Sequence, residues 1–338
     1  MRILTPVSGN RWAVPDCYHR GLVHAGADVV TYDIGEAPTS LVGRILRRLR
    51  RMTGSAAARR LEAAIAAAKP DVLIVFKGFD YPPAVLKRIA ARGVRLVNYN
   101  TDHPFRFFSP GSGNANVRDS VPLYDLYITY SGPIACEMAE LYPDQKVVVL
   151  PFGHAIDDAL FDEIAAEPEV VRGCFNGNPD EERAEAVRFL AENGVAMDLY
   201  GYDWAKFVSP TPMLKLCTPE AGIGMFRILR RYRFQLNLFR PHNEGSHNLR
   251  SFEVPAVGGI SLGPDSPEHR DFFADGRDAF HFADKQEMLA VARHLLAMPV
   301  DEADAVRRAA RARILALQSH FDDRARAMLA AVTETVAR

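Results

Sequence analysis

Residues able to grip an anion concentrate between Asn248 and Gly259, in the run NLRSFEVPAVGG. A polar loop, Arg240 to His247, comes before it, and the apolar spacing predicts a helix over Asn248–Val257. A helix start presents unpaired backbone N–H groups and a partial positive charge, which suits a diphosphate. Asn248 and Leu249 open this helix, and Arg250 in its first turn can add a charge-assisted contact. Glu253, three residues on, shares the same face. The spacing alone also describes the surface of an amphipathic helix.

Three further clusters could act on a ligand. Asn176-Gly177-Asn178 stands between a predicted strand, Val170–Phe175, and a predicted helix, Glu181–Glu192. Glycine there either lets a phosphate or sugar approach the backbone or makes a tight turn. Arg183 on the helix faces that ligand or solvent. Tyr200-Gly201 ends a predicted strand, Val195–Tyr200, at the carboxyl edge where open α/β sheets hold ligands, so Tyr200 stacks on a base or packs in the core. In the first half, Asp102-His103-Pro104 follows the predicted strand Arg95–Tyr99. Asp102 there can serve as base toward a hydroxyl, or the triplet is a turn. Asp16, His19 and His154 are weaker candidates.

The elements that must position these residues alternate regularly. Arg2–Val7, Asp28–Tyr32, Asp71–Phe76, Arg95–Tyr99, Leu126–Thr129 and Lys146–Leu150 read as strands separated by helical stretches. Asp71–Phe76 is a continuous apolar run, as expected of a parallel strand covered on both faces. After Pro151 the pattern restarts with Val170–Phe175, Val195–Tyr200, Phe234–Phe239 and Ile260–Leu262. Two α/β units follow, an expected pair of Rossmann-like lobes facing a cleft. Their expected bounds are 1–155 and 156–315, with a C-terminal helix, 316–338, crossing back to the first lobe. Asp301–Arg338 reads as almost entirely helical.

Composition narrows the function classes. The chain has 338 residues, 48% apolar and 25% charged, with a formal net charge of −1. That length suits two domains of about 150 residues, and a balanced charge offers no global field for nucleic acid. No apolar run approaches the roughly 18 residues of a spanning helix, and the N-terminus lacks a signal-peptide pattern. Cys17, Cys136, Cys174 and Cys217 form no CxxC pair, which argues for reduced thiols and a cytoplasmic protein. Asp157-Asp158 and Asp322-Asp323 fall at helix starts, where acids favour the dipole, so no metal is expected. Arg44, Arg47, Arg48 and Arg51 recur at helical spacing over Leu41–Met52. Such a helix can touch the inner face of a membrane or an acidic glycan, or simply be a solvated face.

Taken in order, Phe175-Asn176-Gly177-Asn178…Arg183, Leu199 to Trp204, Asn248 to Gly259, Glu268…Phe272-Phe273…Gly276 and His320-Phe321…Arg324-Ala325 resemble the CgeB-like (spore-maturation type) glycosyltransferases, a branch similar to the retaining GT-B enzymes. The likeness is looser in Asp71–Gly78, Asn98–Pro104 and Leu150–Gly153. The resemblance implies a GT-B fold and transfer of a sugar from a nucleotide-diphosphate donor (UDP, GDP or TDP type) to a glycan, lipid-linked or protein acceptor, with retention and without metal or other cofactor. It implies that Glu253 accepts the donor ribose hydroxyls and that His103, with Asp102 beside it, contacts the transferred sugar. The chain departs from many retaining enzymes eight residues before Glu253, where Gly245, beside Glu244, replaces an earlier Glu. A sugar-nucleotide epimerase, or a non-catalytic nucleotide-sugar or glycan binder, is compatible with the same architecture.

Overall fold

The computed structural model describes residues 1–34, 55–107, 112–240 and 245–337. The basic stretch around Arg44–Arg51 lies outside them, as does Glu244. The chain divides into two compact units, Met1–Phe152 with Phe321–Arg338, and Gly153–Arg240 with Glu244–His320.

The first unit runs β1 (Arg2–Val7), α1 (Val14–His24), β2 (Asp28–Asp33), α2 (Ser55–Ala68), β3 (Val72–Phe76), α3 (Pro83–Ala90), β4 (Arg95–Asn100), α4 (Ala115–Ser120), β5 (Leu126–Thr129), α5 (Gly132–Leu141) and β6 (Val147–Val149). Its sheet has the order β2-β1-β3-β4-β5-β6 and is parallel throughout. The apolar run Val72-Leu73-Ile74-Val75 is fully buried in the middle of it, in register with Arg95 to Asn98 of β4. The C-terminal helix, Phe321–Val336, packs against α1 and buries Phe321, Ala325, Met328 and Val332. It lies so close to α1 that a Cβ on Gly21 would sit 2.6 Å from Ala325 Cβ and 2.9 Å from the Phe321 carbonyl. Only glycine allows that approach.

The second unit runs α6 (Asp158–Ala165), β7 (Val170–Asn176), α7 (Glu181–Glu192), β8 (Met197–Tyr200), β9 (Leu214–Cys217), α8 (Ile223–Arg231), β10 (Tyr232–Leu236), α9 (Arg250–Ala256), β11 (Ser261–Pro264), α10 (Pro267–Phe272), β12 (Phe280–Phe282), α11 (Lys285–Ala297) and α12 (Val300–Ala316). Its parallel sheet has the order β12-β11-β10-β7-β8-β9. Phe234, Leu236, Leu199, Met197 and Leu262 form its core with Val187 and Leu190 of α7 and Leu295 of α11.

Several expectations shift. β9 and β12 escape the sequence reading because each is short, and β9 is half-exposed at an edge. The expected strand over Phe234–Phe239 instead starts at Tyr232 and ends at Leu236. The largely helical stretch from Asp301 is two helices, Val300–Ala316 and Phe321–Val336, parted near Gln318, whose φ of 46° is left-handed. Its two halves belong to different units. Asp157 and Asp322-Asp323 do occupy helix starts: Asp157 caps α6 by accepting the Leu160 amide at 2.8 Å. Among the described residues no helix is long and apolar enough to cross a membrane, and no group of three His, Cys, Asp or Glu is placed to hold a metal.

Candidate functional site

In the second sheet the chain leaves β7 for β8 and β9 on one flank, then returns to β10 on the other. The strand order therefore reverses between β7 and β10, and outside their carboxyl ends such sheets leave a crevice for a ligand. A cavity of about 60 Å³ lies there, lined by Asn176, Gly177, Arg183, Asn237, Asn248 and Arg250. Five of these six were legible as site residues; Asn237 was not.

Asn176 is the last residue of β7, and its Nδ2 is buried without a hydrogen-bond partner. A buried N–H left unmade costs about 1–3 kcal/mol, so it marks a place where a partner is expected. Arg183 is positioned by its own backbone. Asp180 caps α7 by accepting the Arg183 amide at 3.0 Å, and the guanidinium donates to the carbonyls of Asn178 (3.0 Å) and Leu238 (3.1 Å). Burial lowers its pKa from the usual arginine range. The Asp180 carboxylate, 3.4 Å from Arg183 Nε, partly balances this desolvated cation.

Asn178 and Gly201 serve the scaffold. Asn178 Oδ1 accepts the Tyr202 amide at 3.0 Å. A Cβ on Gly201 would lie 2.1 Å from the Gly177 carbonyl oxygen, so that glycine lets two strand ends touch. Trp204 Nε1 donates to the same carbonyl at 3.0 Å. Tyr200 packs in the core and does not line the pocket: its ring clusters with Cys174, Ile228 and Tyr232. Tyr232 donates to Asp198 (2.8 Å) and Arg231 donates to the Tyr200 oxygen (2.8 Å), so the Tyr200 hydroxyl donates to Tyr232 at 2.9 Å.

The helix expected from Asn248 begins instead at Arg250 and has seven residues. Asn248 and Leu249 form a turn that takes up its first amides. Ser251 N–H donates to the Asn248 carbonyl (3.1 Å) and Oδ1 (3.2 Å), and the Phe252 and Glu253 amides donate to the Leu249 carbonyl, both at 3.1 Å. The amides of Leu249 and Arg250 are not drawn into this turn. The broad amide cradle expected from a helix start is therefore narrower, and side chains carry more of the site. Gly245 adopts φ 76°, a left-handed turn that suits glycine where other enzymes have the earlier Glu.

A buried chain of hydrogen bonds fixes Asn248. His269 Nδ1 lies 3.1 Å from the Pro264 carbonyl, which can only accept, so Nδ1 carries the proton and Nε2 accepts. Burial, with His281 stacked 5.3 Å away, holds the His269 pKa down at about 3, so the ring is neutral. The Ser251 hydroxyl then donates to His269 Nε2 at 2.7 Å. Its lone pairs receive Asn237 Nδ2 (3.2 Å) and the Asn248 amide (3.3 Å), and Asn248 Nδ2 donates to Asn237 Oδ1 at 2.7 Å. One orientation of both asparagine amides at the pocket follows. Ser251 and His269 gave no sequence signal, since they meet only through the fold.

Arg250 lines the pocket with Glu253 as its ion-pair partner one turn on. Its Nη2 rests on Met225 Sδ at 3.2 Å, and its Nε is buried without a hydrogen bond. Glu253 is buried and does not line the cavity; burial raises its pKa, with Arg250 opposing the rise.

In the first unit, Asp102 and His103 follow β4. Asp102 is ion-paired with Lys77, a residue held at φ 62° just past β3. His103 is buried; its Nδ1 accepts the Phe105 amide at 3.2 Å, so Nε2 carries the proton and donates to Glu137 at 3.2 Å. Arg106 shares that carboxylate at 2.8 Å. The first sheet has its own reversal, between β1 and β3, and a cavity of about 230 Å³ opens there between Pro6, Tyr32, Arg60, Phe76, Lys77 and Tyr81.

Residues 183–330 match the family described as glycosyl transferase-like. Among solved structures, sucrose-phosphate synthase from Thermosynechococcus elongatus is similar at 12% identity over 100% of this chain and 99% of that one, with a TM-score of 0.72. HepE from Anabaena, solved with UDP-glucose, is similar at 11% identity over 99% and 100%, TM-score 0.66. The UDP-GlcNAc 2-epimerase from Neisseria meningitidis, bound to UDP-GlcNAc, is similar at 11% over 99% and 100%, TM-score 0.60. At these identities the likeness is one of fold, two Rossmann-like lobes of the GT-B type. No curated protein sequence matches the chain.

Proposed function

We propose that the chain is a nucleotide-sugar-dependent glycosyltransferase whose donor diphosphate sits in the pocket between the carboxyl ends of β7 and β10. The observation that carries this reading is the unpartnered, buried Asn176 Nδ2 beside two guanidiniums, Arg183 and Arg250. An amide donor and two fixed cations in a partly dry crevice suit phosphate oxygens, and charge-assisted bonds there are stronger than in water. As the glycosidic bond to the donor breaks, negative charge grows on the leaving diphosphate. Arg183, and Arg250 once released from its ion pair with Glu253, stabilise that charge, and we assign this task to them rather than to a metal ion.

The CgeB-like pattern supports retention of configuration. So does the state of Asp102: its carboxylate is engaged by Lys77 rather than open to an acceptor hydroxyl as an inverting base would be. His103 is proposed to contact the transferred sugar, for which it would exchange the Phe105 amide at Nδ1. Glu253 is proposed to reach the ribose hydroxyls, which would release Arg250 toward the diphosphate. The acceptor is proposed to be a glycan, a lipid-linked sugar or a protein. Calorimetry with UDP-, GDP- and TDP-sugars tests the donor site: one nucleotide should bind, and Asn176→Leu should weaken it. No binding by any of them would remove the proposal.

Fold likeness to UDP-GlcNAc 2-epimerase favours a second reading, rearrangement of the donor sugar without an acceptor. Incubation with donor alone separates the two. An epimerase converts the sugar, whereas a transferase leaves it intact apart from slow hydrolysis.

A further inference from the structure

We infer that the opposite edge of the C-terminal sheet holds a second anion site, built for a phosphate group on a small molecule and separate from the donor pocket. Arg230 lies in the last turn of α8 just before β10 begins, and Gly258 lies just before β11, so this site is at the amino ends of strands whose carboxyl ends carry the donor pocket. A cavity of about 470 Å³ opens there, with Arg230, Arg307, Arg308 and Arg311 around it and Phe161 and Leu315 as its apolar wall. Arg307 and Arg311, four residues apart, share the buried face of α12, and Arg308 stands beside them three residues before Arg311.

The charges do not balance. Arg307 is buried and paired with Glu169 and Asp304, but Glu169 is shared with Arg233. Arg311 is buried, donates to Asp158 and to the Ala256 carbonyl at 3.0 and 2.9 Å, and lies over the Phe161 ring. Arg230 and Arg308 have no hydrogen bond or ion pair among the described residues. Two further donors are orphaned: the Nε atoms of Arg230 and of Arg307 are buried and unpartnered. Burial, and then the neighbouring Arg307 charge, lower the Arg230 pKa. Asp304, which also lines the cavity, and Glu169 oppose that shift but neither bonds Arg230, and a half-buried guanidinium held against another cation without a bonded carboxylate costs stability unless something anionic arrives. The planar fork of arginine matches phosphate oxygens, and the apolar wall leaves room for the body of a phosphorylated metabolite.

The test uses inorganic phosphate as probe, with sodium chloride at matched ionic strength as reference. Thermal unfolding is followed in the full chain, in Arg230→Met and in Arg250→Met. Phosphate should raise the midpoint of the wild-type chain above its value in chloride, and Arg250→Met, which removes a donor-pocket cation and the ion-pair partner of Glu253, should keep that rise relative to its own midpoint in chloride. Arg230→Met should lose most of it while staying at least as stable as wild type in chloride, because the change removes an uncompensated buried charge. A rise that survives Arg230→Met, one that disappears in Arg250→Met, or a variant that is markedly less stable in chloride would each overturn the inference. A tungstate soak gives an independent readout, with anomalous density expected between Arg230 and Arg308; its absence there, with tungstate bound elsewhere, would also refute it.

Discussion

Replacing Ser251 by alanine removes one oxygen atom and disrupts a hydrogen-bond chain at three points. His269 Nε2 loses its donor, and Asn237 Nδ2 and the Asn248 amide lose their acceptor. Ser251, Asn237 and His269 are all buried, so water does not readily stand in for the missing hydroxyl. Each buried polar group left unmade costs about 1–3 kcal/mol. The Asn248 amide keeps part of its freedom to find another partner, so the expected sum over the three groups is about 3 kcal/mol, at the low end of their combined range of about 3–9 kcal/mol. For a unit of this size, such a loss lowers the thermal midpoint by about 6–12 °C. Urea unfolding of the purified variant measures it directly, and donor affinity should fall with stability because Asn248 is no longer held in one orientation. A loss under about 1 kcal/mol would mean that the tautomer assignment at His269, and with it the described orientation of Asn248, is wrong.

Four other outcomes are expected. His269 has its pKa depressed to about 3 in the folded chain, so its contribution to stability is complete above the unfolded value near 6.5 and is lost as pH falls below it. Between pH 7.5 and 5.5 this group should cost about 1.4 kcal/mol, a slope that His269→Gln should remove in urea titrations at both pH values. Glu253 shifts the other way: its raised pKa means stability is lost as pH climbs through the region above the ordinary carboxyl range, so the stability of Glu253→Gln relative to wild type should increase from pH 4.5 to 8. Arg183→Met should weaken donor binding by about 10- to 100-fold in calorimetry, the worth of a charge-assisted contact, and leave the fold intact by circular dichroism. Gly201→Ala should destabilise the chain by about 2 kcal/mol in denaturant titration, because the new methyl meets the Gly177 carbonyl at 2.1 Å.

The fold was largely legible because its central strands are uninterrupted apolar runs, such as Val72 to Val75, separated by helical stretches. The pocket was partly legible for the same reason: Asn176, Arg183 and Asn248 stand where strands give way to loops and helices. Tyr200 misleads because β8 is buried on both faces, so no alternation tells which side chains point where. Asn237 was hidden because the expected strand ran through it, whereas the real strand stops at Leu236. Ser251 and His269 are eighteen positions apart, and their pairing, like that of Asp102 with Lys77, exists only once the elements are packed. The helix start was misplaced by two residues because Asn248 and Leu249 satisfy its first amides from outside the helix.

The account stands on the donor diphosphate occupying the crevice between β7 and β10. The most direct measurement is a crystal structure of the chain soaked with UDP or with whichever nucleotide diphosphate binds in calorimetry. Phosphate oxygens should lie about 3 Å from Asn176 Nδ2 and from the guanidiniums of Arg183 and Arg250. A nucleotide bound elsewhere, with Asn176 Nδ2 still unpartnered, would contradict it.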